Sequence, residues 1–536
     1  MFEPSRYQLD IFDEIDKAKN NLIVNAVPGS GKTTTILKCV ERIPSNQQIL
    51  AVCFNKSIQV ELTAKMPSYV HCKTLNALGL SVLKSHFPQL KVDNNKLNKI
   101  MGEFGNTIPY KIIPAVRTMY ELARSAGVGI DGPLERKEVR KLLKQFNTEI
   151  NKGQIAPFVR AINILLKEGA NINLGVDFTD MLYMPVKLGL TAKKFDWIFV
   201  DEAQDLSKIQ LELIHLFVGP QTKLVFVGDR LQSIYAFRGA DIKSMDNIAE
   251  RYSCKEMPLS ITYRCPESAV ELLKKLNPNI EGRPNNIQGT VSSVTKVDVI
   301  NPDNLKGSVI VCRNNAPLVL VAVQLRANNF DARILGDMGS DKKILKYIEK
   351  TNPYSCYDLI EKAKTDYFGV FAKHKDSREN HWRIEQQLET SKVCIYLAES
   401  CRNIEEVKSM IKSIFTKDPG SADIMLMTVH KAKGLEARNV VVVNRMLFEK
   451  YGDTKEEIQQ EDNIKYVALS RVIENLIFLD LPEKSSVVQE LNIMGDSLLD
   501  GAEFFRKHGK TKRTSRVGEL KDDCSDVKLE EEVYYG

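Results

Sequence analysis

Residues 21–38 read NLIVNAVPGSGKTTTILK: a run of branched apolar residues, a turn holding Pro28, Gly29 and Gly31, then Lys32 and Thr33 opening an amphipathic segment. The apolar run predicts a buried strand. The turn predicts a phosphate-binding loop that ends on a helix N-terminus. Glycines let backbone N–H groups point at phosphate oxygens, and the helix dipole adds positive potential there. Pro28, Gly29, Ser30, Gly31, Lys32, Thr33 and Thr34 are therefore candidate nucleotide-binding residues. Lys32 is placed to reach the β- and γ-phosphates and Thr33 to hold Mg²⁺. Ala26 stands where the usual pattern has its first glycine.

The same rhythm continues outward from this stretch. QILAVCF leads into NKSIQVELTAKM, FDWIFVDEAQ leads into LSKIQLELIHLFV, and KLVFVGD follows. A second series comprises GSVIVCR, APLVLVAVQLRANN, DARILG, DIMLMTV, NVVVVN and NLIFLDL. Short buried strands alternating with helices predict parallel sheets covered on both faces. The expected fold class is α/β, with two parallel-sheet cores. Residues 86–180 and 339–420 break the rhythm and read as mainly helical insertions. The expected division is a first core of 1–85 and 181–255, a second of 256–338 and 421–485, and a C-terminal segment, 486–536. That last segment holds the basic run RKHGKTKRTSR and the acidic run DDCSDVKLEEE, and reads as a solvated tail.

Composition agrees with a globular chain of several modules. There are 536 residues, 43% apolar and 27% charged, with a mean hydropathy of −0.24. These values exclude disordered, collagen-like and polytopic membrane classes. No apolar run approaches the roughly 18 residues of a membrane span. The acidic start MFEPSRYQLDIFDEID does not read as a secretory signal, so a cytoplasmic chain is expected. The net charge of +6 permits a polyanion partner without requiring one. The ten cysteines form no C-x-x-C pair, and they read as buried free thiols without a zinc or iron–sulfur site.

Further candidates follow the strands. In WIFVDEAQD (197–205) a hydrophobic strand ends in two acids, at the sheet edge where ligands bind in open α/β folds. Asp201 would orient the Mg²⁺ shell and Glu202 would act as general base on the attacking water. In VGDRLQSIYAFRGA (227–240), Gln232 can sense a γ-phosphate through its amide. Tyr235 and Phe237 lie two apart beside Arg238, and aromatics interleaved with a base suit stacking on single strands. Two isolated aromatics would more often be ordinary core.

The ordered set DEAQD (201–205), GDRLQSIYAFRGA (228–240), Tyr263-Arg264, TVHKAKGLE (428–436) and YVALSR (466–471) resembles that of UvrD-like superfamily 1 helicases, over about Tyr7 to Leu481. GDRLQSIYAFRGA and TVHKAKGLE resemble the 3′→5′ branch rather than the Pif1-like branch. AVCFNKSIQVEL and VHCKT look closest to the F-box helicase group and to compact phage and Gabija-type relatives. The resemblance implies two RecA-like cores with ATP and Mg²⁺ between them and single-stranded DNA across the top. By the same resemblance Gln8 reads adenine, Tyr263 stacks on the base and Glu436 contacts the ribose. Arg264 and Arg471 become γ-phosphate arginines from the second core. Phe54, Asn55, Thr74, Thr428 and His430 become DNA contacts, joining Tyr235, Phe237 and Arg238. Phe237 replaces a tryptophan common in bacterial members, and Asn76 replaces a frequent histidine.

The expectation is an ATP-driven 3′→5′ single-stranded DNA translocase and helicase acting on tailed duplexes. The alternative is a DNA-stimulated ATPase that serves as sensor or regulatory subunit beside a protein partner such as a nuclease, in recombination or antiphage defence. The small second insertion favours that alternative. A P-loop enzyme acting on a small molecule would leave the later motifs unexplained. No membrane partner is expected.

Overall fold

The computed structural model describes residues 2–481 except 147, 149, 236–242, 298–299, 301–304, 337–339, 375–380, 419, 421 and 449–454. Phe237, Arg238 and the C-terminal segment 486–536 lie outside the described residues.

Fifteen strands are described, β1 to β15 in chain order, and two large sheets hold thirteen of them. The first sheet comprises β1 (Leu22–Ala26), β2 (Ile49–Cys53), β3 (Val70–Thr74), β4 (Phe195–Val200), β5 (Val218–Gly228) and β6 (Lys255–Leu259). Its order is β3-β2-β4-β5-β1-β6 and every pairing is parallel. Strand alternation sends successive residues to opposite faces. Leu22, Val24 and Ala26 enter one core and Ile23 the other. Ile49, Ala51 and Cys53 follow the first set, and Leu50 and Val52 the second. Both faces are thus apolar, as a helix-covered parallel sheet requires. The sixth strand extends this core to Leu259, which corrects the expected end at 255.

A two-stranded pair follows, β7 (Ile261–Thr262) with β8 (Glu281–Gly282). The second large sheet comprises β9 (Thr290–Val294), β10 (Val309–Cys312), β11 (Ala332–Leu335), β12 (Phe415–Thr416), β13 (Ile424–Thr428), β14 (Ala437–Val443) and β15 (Val472–Leu479). The order is β12-β11-β13-β10-β14-β15-β9, again all parallel.

The helical insertions differ in how they pack. Residues between β3 and β4 fold on a core of their own around Met119, Tyr120, Phe158 and Leu165. A buried charge cluster pins this insertion. Lys96 and Arg124 meet Asp180 at 2.7 and 2.6 Å, and Arg124 also meets Asp177 at 2.9 Å. Residues of the second insertion, such as Leu359, Ala363 and Leu397, instead share one continuous core with Ile310, Ile334 and Val441 of the second sheet. They cover a face of that sheet rather than forming a separate body.

Candidate functional site between two cores

β4, β5 and β1 are neighbouring parallel strands. Their C-terminal ends therefore set three loops side by side: 201–205, 229–232 and 27–31. In the last of these, Ser30 N–H donates to the Val27 carbonyl at 3.2 Å. Gly29 and Gly31 take φ of +69° and +79°, a region glycine enters without strain. Gly31 caps the helix Lys32–Val40 with no side chain bound to the first-turn N–H groups, so these remain as donors for an anion. A Cβ on Gly29 would fall 2.4 Å from the Cβ of Arg264. Tyr263 N–H donates to the Gly29 carbonyl at 2.9 Å. The loop thus needs glycine to let the 262–264 segment lie against it.

Lys32 Nζ lies 3.0 Å from Glu202 Oε1. Glu202 sits at φ +53° in the left-handed region, sparsely used by non-glycine residues and enriched where function holds a side chain in place. Burial works to raise its carboxyl, but Lys32 and Lys433 outweigh burial and hold Glu202 below the usual carboxylate range. Burial, then the charge of Glu202, pushes Asp201 the other way. Burial also pushes Asp229 up to about 6 against the pull of Lys32.

Gln232 is buried. Its Nε2 donates to Asp229 at 2.7 Å, and its Oε1 accepts from Arg471 Nη2 at 3.2 Å. Arg471 precedes β15, so this bond crosses from the second core to the first. The guanidinium also donates to the carbonyls of Val467 at 2.9 Å and Leu435 at 3.3 Å. It is 2% exposed, and it makes no ion pair with a carboxylate among the described residues. Burial, with the like charge of Arg264 beside it, lowers Arg471 to about 10. Arg264 lies 2.6 Å from Glu436. Gln8 caps its own helix by accepting from Ser5 N–H at 2.9 Å and reaches Thr35 at 3.0 Å. The Tyr263 ring is 41% exposed next to the loop.

These residues fit a nucleoside triphosphate. Ser30 Oγ is buried beside the loop without a partner, and Arg471 is a desolvated cation without a carboxylate. Both are costly unless an anion completes them. Thr33 on the first turn of the helix and Asp201 at the end of β4 supply the hard oxygens Mg²⁺ takes.

A second set of side chains forms a row of rings. Phe54, after β2, stacks on Tyr235 with centroids 6.5 Å apart and planes at 12°. Tyr235 in turn faces the His430 ring at 6.5 Å, and its hydroxyl donates to the His430 carbonyl at 3.1 Å. Phe54 is 40% exposed. Thr428 closes β13 just before His430. Asn55 and Thr74 cap helices, accepting from Ile58 N–H at 2.9 Å and Ala77 N–H at 3.3 Å. Removing the Phe54 ring, by Phe54→Ala, is expected to weaken the grip on a thymidine oligonucleotide by about 1–3 kcal/mol in fluorescence anisotropy. An unchanged affinity in the folded variant would assign the ring to packing.

Sequence reading missed the residue that joins the two sets. Lys433 pairs with Asp205, donates to the Gln232 carbonyl at 2.6 Å and lies 4.9 Å from the centre of the Tyr235 ring. Asn463, buried in the second core, donates to the Ser233 carbonyl at 2.9 Å. Gln204 accepts from Asp229 N–H at 3.0 Å and donates to Glu202. Lys433 and Gln204 lie inside quoted motifs, but the hydrogen-bond partners of Lys433 are 201 or more residues away, and Gln204 is 25 residues from Asp229.

Two family models match this arrangement. The UvrD/REP helicase N-terminal domain matches residues 10–253, and the UvrD-like helicase C-terminal domain matches residues 134–480, more than half of the chain. The chain belongs to the UvrD-like helicase family. Among curated relatives, F-box DNA helicase protein 1 of Schizosaccharomyces pombe is 26% identical over 504 residues, covering 86% of this chain and 55% of the relative. ATP-dependent DNA helicase Rep of Buchnera aphidicola is 24% identical over 343 residues, 58% of this chain and 48% of the relative. ATP-dependent DNA helicase PcrA of Staphylococcus epidermidis is 31% identical over 135 residues, 23% and 18% of the two chains. This UvrD-like chain spans about half the length of the first two relatives. Among its described residues no helix is long and apolar enough to cross a membrane.

Proposed function

We propose that this UvrD-like chain is an ATP-dependent DNA helicase that moves 3′→5′ along a single strand. The observation that carries the reading is the Arg471–Gln232 bond. It brings a buried arginine of the second core to the loops that hold Lys32 and Glu202 in the first.

Lys32 and the N–H groups of the 27–33 turn bind the β- and γ-phosphates of ATP. Mg²⁺, held by Thr33 and Asp201, would neutralise phosphate charge there. Lys32 is then drawn to phosphate oxygens, which frees the Glu202 carboxylate to accept a proton from the attacking water. Arg471 and Arg264 stabilise charge on the transferring phosphoryl group. Gln8 and Tyr263 hold the adenine, and Glu436 the ribose. Because two arginines come from the second core, hydrolysis requires that the cores close.

Phe54, Tyr235 and His430 hold unpaired bases and backbone, with Asn55, Thr74 and Thr428 at the neighbouring strand ends. Phe237 and Arg238 belong to the same proposal. Lys433 touches both Gln232 and Tyr235, so a shift at the nucleotide is felt at the rings. The test of direction is displacement of tailed duplexes. Unwinding from a 3′ tail and not from a 5′ tail is expected, and the opposite preference would overturn the polarity. ATPase stimulation by single-stranded DNA with no displacement from either tail would instead favour the sensor reading.

A further inference from the structure

The helix Arg136–Gln145 of the first insertion, RKEVRKLLKQ, holds five cations and one acid. Its apolar residues Val139, Leu142 and Leu143 are buried in the insertion's own core. At 3.6 residues per turn, Arg136, Lys137, Arg140, Lys141 and Lys144 fall within an arc of about 140° on the other side, and no other residue of the helix falls in that arc. All five are exposed. None makes an ion pair among the described residues. Glu138 is taken up in the cap, accepting from Glu135 N–H at 2.8 Å. Like charges at i,i+4 repel, so this face costs the helix stability that a counter-charge would restore.

The same chain holds a segment of matching charge. Residues 519–532, ELKDDCSDVKLEEE, carry seven acids and two lysines, a net charge equal and opposite to that of the five helix cations. They lie outside the described residues and begin 38 positions after Leu481. A chain of that length can span up to about 130 Å. A compact protein of this size has a radius of gyration of about 24 Å, so the tether is long enough to reach the helix. Tethering also holds the segment at roughly millimolar effective concentration, where contacts too weak to keep a free peptide suffice. The basic run 506–516 is a rival partner for the acids. The helix has the advantage that its cations are already fixed in one arc, so pairing there loses less freedom. We propose that the acidic segment 519–532 docks on the basic face of the helix Arg136–Gln145 and withholds that face from other polyanions.

Carbodiimide coupling joins a lysine amine to a carboxylate in contact with it and leaves no spacer. Run on the dilute full chain and read by peptide mass mapping, it should link Lys137, Lys141 or Lys144 to acids of 519–532. The links should fade as added salt shortens the screening length. No link to the helix, whether or not 519–532 couples elsewhere, would overturn the proposal. In a mixture of isotope-labelled and unlabelled chains, the links should stay within one isotope. Links between labelled and unlabelled chains would overturn it too, assigning the face to a second copy. Heparin, a polyanion without bases, is the binding probe. The tail variant Asp522→Asn, Asp523→Asn, Glu530→Gln, Glu531→Gln, Glu532→Gln should bind heparin several-fold more tightly than the wild type. Most of that gain should vanish in a chain that also carries Arg140→Gln, Lys141→Gln and Lys144→Gln. Glutamine keeps helix propensity at these exposed positions. A gain of the same size with and without the helix cations would reflect net charge alone and would overturn the docking.

Discussion

Arg471→Met is expected to cut ATP turnover by about 10³–10⁵-fold, the range seen when a transition-state arginine is lost. The guanidinium is buried and held by Gln232 and by the Val467 and Leu435 carbonyls. No carboxylate pairs with it among the described residues, so its charge is left for a ligand. Methionine has similar length and no charge, and its introduction strands no protein anion. The fold should therefore survive, at a cost of about 1–3 kcal/mol for acceptors that lose a donor. Steady-state ATPase beside a nucleotide-binding titration checks this. The expected split is turnover lost and ATP affinity changed far less. Wild-type turnover in a folded Arg471→Met chain would show that the second core contributes no catalytic charge.

Glu202→Gln is expected to slow hydrolysis by about 10²–10⁴-fold while ATP and single-stranded DNA still bind. Glutamine keeps the shape and can still meet Lys32, but it cannot take a proton from water. The closed state should persist, so single-stranded DNA should dissociate more slowly in ATP than from the wild type. Single-turnover hydrolysis and DNA dissociation rates read the two halves separately. Hydrolysis at the wild-type rate would remove Glu202 from the base role.

The two sites meet at Lys433. Its ammonium is nearly buried between Asp205, the Gln232 carbonyl and the Tyr235 ring. Close packing of this kind transmits small shifts instead of absorbing them. Gln232 bonds Arg471 and Tyr235 stacks in the row of rings, and only two residues separate them in the chain. Under the proposed function, a movement of Arg471 against Gln232 would reach the rings through neighbouring backbone and one shared cation.

Much of this was legible in the chain. Leu22–Ala26, Ile49–Cys53 and Phe195–Val200 are apolar on both faces and stand before turn residues, so their strands and the ligand-bearing edge could be read directly. β9 could not be. Thr290–Val294 is mostly exposed and has no apolar face to betray it; it pairs at the edge of the sheet, beside β15. β12 has two residues and no pattern at all. Motif residues were found as types, but their partners depend on long-range closure. Nothing local says that Glu202 turns left-handed, that Lys433 seeks Asp205, or that Arg264 lies 2.6 Å from Glu436. The second insertion read only as a mainly helical stretch, because helical periodicity does not say what a helix packs against. Its buried residues are completed only by the second sheet.

ATPase rate titrated with a thymidine oligonucleotide tests most directly whether nucleotide and strand sites act as one machine. Turnover should rise many-fold and saturate with the oligonucleotide, and Phe54→Ala should shift the midpoint to higher concentration. A rate indifferent to single-stranded DNA, in a chain that hydrolyses ATP, would contradict the coupling through Gln232, Lys433 and Tyr235 and with it the helicase reading.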